Sequence, residues 1–202
     1  MGRQNRVDPF GVIQGNPARG TMMGNRGILH DAQGRILRSH AHQNWVACVL
    51  SFKGRRRAVM SQGSYTELFF HDEATALAAG HRPCGECQRA RYRAFRQLWC
   101  DVHGPPPDDR PVPQWIDRSL HAARIRNGAK VTFDASLSDL PDGVMVAVEG
   151  RPYLRHQGAV WRWSFTGYRP AGGIGNQVQV LTPKPMVDVL RAGYVPSASI
   201  EP

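Results

Sequence analysis

Apolar residues recur along this chain with two different periods, and the changes between them mark its elements. Alternation over 46–52, in Val-Ala-Cys-Val-Leu-Ser-Phe, predicts a strand, and shorter runs at 27–30, 36–38, around Val59 and at 65–70 predict others. Residues 1–25 are rich in Gly, Asn, Arg and Pro, which reads as irregular backbone with one short strand near 10–13. The pattern then switches. Asp72 is a good N-cap, Glu73 suits the positive end of a helix, and the Ala-Thr-Ala-Leu-Ala-Ala body before Gly80 predicts a helix over 73–79. A second helix is predicted over 84–100, with Pro83 in its first turn.

The run Gly104-Pro105-Pro106-Pro107-Asp108-Asp109 breaks all periodicity and is the best candidate boundary. Beyond it a helix is expected over 115–126, ended by Asn127-Gly128, then strands at 130–133, 144–148, 152–154, 159–165 and 177–181. Thr182-Pro183 opens a last helix that stops at Gly193. The predicted fold class is α+β: a module over 1–103, then a small β module over 104–202, a partly open, barrel-like or curled sheet with a C-terminal helix, packed with the first as one unit or separate from it. Trp161, Trp163 and Phe165 share a parity on one strand, and they make either the barrel core or a stacking face for unpaired bases.

Chemistry concentrates at Arg82-Pro83-Cys84-Gly85-Glu86-Cys87. Two cysteines separated by two residues can place both thiolates on one tetrahedral ion. A redox dithiol is the alternative, but the thioredoxin-like context it needs is missing. The whole stretch from Leu68-Phe69-Phe70 through the acidic-alanine helix to Ala-Ala-Gly-His-Arg-Pro-Cys-Gly-Glu-Cys resembles the zinc-binding domain of the bacterial Ada DNA-alkylation repair family. The resemblance is firm over about 20 residues and looser over about 60. It implies a zinc ion held by two donors from an upstream loop and two from this knuckle, which would be Cys84 and Cys87.

Upstream, Cys48 matches the first expected ligand, but Phe52 stands where the family places a second cysteine. The fourth donor is then expected from His30, His40, His42, His71 or His81. His30 is favoured because it ends an apolar run at a turn, with Asp31 beside it to orient the ring. Cys48 also reads as an ordinary buried strand thiol, and Cys100 as a packing residue.

Composition adds a partner. The formal net charge is +10, with 26 Lys and Arg against 16 Asp and Glu, and the excess is mostly arginine. Arginine's planar fork suits phosphate, so nucleic acid, most plausibly DNA, is the expected ligand. Arg55, Arg56 and Arg57 form one cluster; Arg82, Arg89, Arg93 and Arg96 form another around the knuckle. Apolar runs are too short to cross a bilayer, and the N-terminus lacks the apolar core of a secretory signal, so a cytoplasmic protein is expected. No Walker loop, nucleophile elbow or metalloprotease helix occurs, and no catalytic residue is assigned. Three readings follow: a zinc-stabilised nucleic-acid-binding protein, a DNA repair or processing enzyme, and a structural module that binds protein.

Overall fold

The acidic-alanine segment forms helix α1 (Glu73–Ala78) in a computed structural model that describes residues 2–54 and 58–200. Asp72 caps it, accepting the Thr75 N–H at 2.8 Å. Gly80 takes φ +85, the left-handed value expected just past a helix end. A Cβ there would lie 2.5 Å from Cδ of Arg124, so glycine is also required for close approach.

Before α1 the chain forms β1 (Gln4–Val7), β2 (Ile13–Gly15), β3 (Met22–Asn25), β4 (Val46–Val49) and β5 (Leu68–Phe70). After it comes the two-residue strand β6 (Arg82–Pro83). These six make one mixed sheet in the order β2-β1-β5-β3-β4-β6, with β1–β5 and β4–β6 parallel. The strand expected at 27–30 lies instead at Met22–Asn25, where Gly24 lets the Phe70 ring press against the backbone. The run at 36–38 supplies only a single bridge, His30 to Ile36.

Helix α2 (Arg89–His103) begins after the knuckle rather than at Cys84. The reason lies in β6, where the N–H groups of Arg82 and Cys84 donate to the carbonyls of Trp45 and Ala47 at 3.1 and 2.9 Å. Pro83, which has no N–H, fits the outward position of an edge strand. Helix α3 (Val112–Arg124) leads into a tight ribbon of β7 (Ile125–Arg126) and β8 (Ala129–Lys130), turned by Asn127 and Gly128 at positive φ. Then follow β9 (Phe133–Ser136), β10 (Met145–Val148), β11 (Arg151–His156), β12 (Ala159–Ser164), β13 (Gly167–Ala171), β14 (Gln177–Val180) and helix α4 (Lys184–Arg191).

The second six-stranded sheet, in the order β13-β12-β11-β10-β14-β9, is antiparallel throughout and open. The sheet does not close into a barrel: β13 and β9 remain edges. Among the described residues the fold is mixed α/β, with two six-stranded sheets and the two-stranded β7–β8 ribbon. Among the described residues, no helix is long and apolar enough to cross a membrane.

Helix α1 is buried on every side, and its small residues let three surfaces approach it. Ala76 and Ala79 meet Val7, Ala47, Leu68 and Phe70 of the first sheet. Ala74 and Ala78 meet Met145, Leu154 and Trp163 of the second. Leu77 reaches Phe95, Trp99, Ile116 and Leu120 of α2 and α3. Clusters on α1 thus take residues from both sides of the 104–109 loop. Trp163 is buried and donates its indole N–H to Thr75 Oγ1 at 3.0 Å; Trp161 and Phe165 pack against the same cluster. These aromatics are core.

Two buried carboxylates fix the chain's end to α1. Asp72 Oδ2 accepts from the Tyr168 hydroxyl at 2.8 Å and from the Ser199 N–H at 3.1 Å. Glu73 accepts from the Tyr194 hydroxyl at 2.6 Å and the Ser197 N–H at 2.9 Å. Replacing Asp72 by Ala removes a cap and strands buried donors, so Asp72→Ala should lower unfolding free energy by about 3 kcal/mol in urea titrations. Asp108→Ala, which breaks an ion pair in the 104–109 loop, should change it by about 0.5 kcal/mol or less.

Candidate metal centre

The parallel pairing of β4 with β6 aligns Val46 with Arg82 and Ala47 with Pro83, so Cys48 and Cys84 come next on neighbouring strands. Ala47 faces α1, and Cys48, by strand alternation, faces the other way. On that outer face Cys48 pairs with Met23, which in turn pairs with Phe69. After Cys84 the backbone turns at once: the Gln88 N–H donates to the Cys84 carbonyl at 3.1 Å, and Gln88 Nε2 donates to the Ala47 carbonyl at 2.7 Å. The turn carries Cys87 back beside Cys84.

The sulfurs of Cys48, Cys84 and Cys87 all lie within 4.8 Å of one another. None is in a disulfide, and each side chain is half-buried. The Glu86 N–H points at the Cys84 sulfur at 3.4 Å, and the Val49 N–H bonds the Cys87 sulfur. Backbone donors of this kind stabilise negative charge on sulfur.

The thiols do not ionise alike. The Cys84 thiol is pulled down to about 5, first by the hydrogen bond from Cys48 and then by the N–H groups of Cys87 and Glu86. Cys48, as the donor in that bond, is pushed far up. Cys87 is raised by burial and by the Cys84 charge. Within the metal-free trio, negative charge is therefore favoured on Cys84 over Cys48 and Cys87.

Zinc fits this donor set. Three thiolates at about 2.3 Å from one ion stand about 3.8 Å apart in tetrahedral geometry, and the three sulfurs here lie within 4.8 Å of one another. Among the described residues, no histidine or carboxylate joins the sulfurs within the same distance. A cavity of about 670 Å³ adjoins them instead, walled by Phe52, Tyr65, Phe69 and Glu67. Phe52, standing in the place of an expected cysteine, lines this space.

His30 is a correction. Its Nδ1 lies 2.6 Å from Thr66 Oγ1, and its ring is buried away from the sulfurs, serving the loop that Thr66 fastens to Leu29. The other histidines also stand apart from the trio: His81 is fully buried and accepts from Arg26, His40 packs on Trp45 and His121, and His71 packs on Tyr168. Cys100 packs against the core, as its sequence context suggests.

The arginines separate by environment. Arg82 is buried and makes two 2.7 Å bonds to Asp117, so its fork is not available to phosphate, a second correction. Arg89, Arg93 and Arg96 are exposed on α2, on a different face from the buried Phe95 and Trp99. Arg55, Arg56 and Arg57 lie outside the described residues. The cavity wall at Phe69 was missed by the sequence reading, although the alternation Leu68-Phe69-Phe70 places Phe69 on the outer face.

Compared with protein families, curated proteins and solved structures, the chain matches none.

If the trio is the metal site, Cys48→Ser, Cys84→Ser and Cys87→Ser should each weaken zinc binding about a hundredfold or more, while His30→Ala and Cys100→Ser leave it unchanged. Calorimetry at pH 7 in buffers of different ionisation enthalpy should find about two protons released per ion, from Cys48 and Cys87. Loss of binding in His30→Ala with retention in Cys48→Ser would contradict the assignment.

Proposed function

We propose that the protein is a zinc-dependent nucleic-acid-binding protein, with DNA as the preferred polyanion. The observation that carries this reading is the position of the three sulfurs at the foot of α2, whose exposed side presents Arg89, Arg93 and Arg96. The spacings of four and seven residues put these guanidiniums on one side of the helix. Only Gln88 separates Cys87 from Arg89, so a metal that fixes the turn also fixes where the helix starts. The whole-chain excess of ten positive charges adds a long-range attraction to the same ligand. The resemblance to the Ada zinc-binding domain supports the same partner.

The cavity beside the sulfurs favours a second reading, in DNA repair. Bound zinc would keep its thiolates anionic at neutral pH. Cys48, on the cavity side of β4, would accept an alkyl group from a phosphotriester: a sulfur–carbon bond forms, the carbon–oxygen bond breaks, and the phosphodiester leaves with the electron pair. Phe52, Tyr65 and Phe69 would shield that carbon from water.

Fluorescence anisotropy with a DNA duplex and a single strand tests the first reading. Affinity should fall steeply with salt, and Arg89→Ala, Arg93→Ala and Arg96→Ala together should reduce the slope of log K against log salt by up to about three. Absence of binding at low salt would overturn it. For the second reading, intact-protein mass spectrometry after incubation with methylphosphotriester DNA should show one added methyl group, absent in Cys48→Ser; an unmodified protein ends that reading.

A further inference from the structure

A second cavity, of about 450 Å³, lies between the start of the first sheet and the β7–β8 ribbon and shares no wall with the one at the sulfurs. Four basic residues line it: Arg26, Arg124 and Lys130 inside, and the exposed Arg38 at its edge. Arg26 and Arg124 are each about 1% exposed, which is unusual for guanidiniums without carboxylate partners. Their hydrogen bonds go to neutral acceptors. Arg26 donates to His81 Nε2 at 3.2 Å and the Gly11 carbonyl at 3.0 Å, and Arg124 to the carbonyls of Gly80 at 2.7 Å and Gln43 at 2.5 Å. Lys130 donates to the Ala78 carbonyl at 2.6 Å. Among the described residues, Arg26 Nη2 and Arg124 Nε are buried with no partner.

Both guanidiniums also stack on the indole of Trp45, at 4.1 and 3.9 Å from its ring centroid. The indole supplies π-electron density but no net charge. Of the nearby acids, Asp117 is taken by its paired bonds to Arg82. Asp8 attracts Arg26 and Lys130 at longer range, but its own oxygens accept from the Val12 N–H and Gln14. Two acids therefore stand against three buried guanidiniums, counting Arg82, and the Lys130 amine. Desolvation pushes Arg26 and Arg124 down to about 9 and Lys130 to about 7, and the repulsion of Arg26 adds to the shifts of the other two. Both guanidiniums nevertheless stay protonated at neutral pH. Burying like charges together is costly, and an anion between them would relieve the cost.

We propose that this cavity binds a small organic oxyanion, a phosphate monoester or a carboxylate, with its charged head among Arg26, Arg124 and Lys130. The remaining wall argues for an apolar body on that head: Phe10, Val12, Ile13 and Ile36 line the same space, with Arg38 exposed at its edge. The shared chemistry is oxyanion recognition by forked donors.

Titration calorimetry and thermal shift on the metal-replete full chain test this with four probes: inorganic phosphate, phenyl phosphate, benzoate and benzyl alcohol. Phenyl phosphate or benzoate should bind saturably with a dissociation constant of about 1 mM or tighter and raise the melting temperature, with benzyl alcohol inert. The stronger of the two assigns the head group, and weaker binding of inorganic phosphate assigns a role to the apolar wall. Lys130→Met, which keeps the alkyl stem, and Arg38→Ala, at an exposed position, should weaken the preferred anion by about tenfold and a few-fold respectively. Equal response to benzyl alcohol, no saturable response of the wild type to any anion, or full affinity in a folded Lys130→Met would overturn the proposal.

Discussion

The complete burial of α1 is the constraint on which the rest of this structure depends. Six residues are too few for a helix to persist alone, since nucleation costs more than so few hydrogen bonds return. Its stability must come from tertiary contacts, and these arrive on three sides: two sheets and the layer of α2 and α3. Alanine allows the sheets to close upon it. The two carboxylates at its start then gather Tyr168, Tyr194, Ser197 and Ser199 from the far end of the chain. What leaves the helix is equally fixed. Gly80, pressed against Arg124, turns the backbone so that β6 can pair with β4.

The three-cysteine cluster follows from that pairing. Once Arg82 and Cys84 bond to Trp45 and Ala47, Cys48 and Cys84 are neighbours by register, and the turn through Gln88 needs only to return Cys87. Hydrogen bonding within the trio divides its protons unequally, leaving charge on Cys84. Such a group is prepared for a thiophilic cation without being built by one. The same register explains why Arg82 is lost as a surface residue: it points into the protein, where a buried guanidinium needs the paired oxygens of Asp117.

Local chemistry was the part legible in the sequence. The cap at Asp72, the stop at Gly80 and the final helix before Gly193 are short-range patterns, and the structure carries each of them. Cys84 and Cys87 belong to the same class, because their spacing alone brings the sulfurs together. Pro83 misled, since a proline that suits a helix start suits an edge strand equally well. His30 misled for a different reason: its role is set by Thr66, thirty-six residues away, a contact that no periodicity reports. How far the second sheet closes was not legible, because closure depends on whether β13 meets β9, and the alternation of each strand is the same in either case. Arg26 lies far in the chain from Arg124 and Lys130, and this convergence has no local signature.

X-ray absorption at the zinc edge, on full-length protein loaded with one equivalent of metal, reads the coordination shell itself. Three sulfurs at about 2.3 Å with a single light scatterer near 2.0 Å, and no imidazole ring signature, is the predicted result. Four sulfurs, or the outer-shell pattern of a coordinated histidine, would contradict a three-cysteine site whose last position faces the cavity.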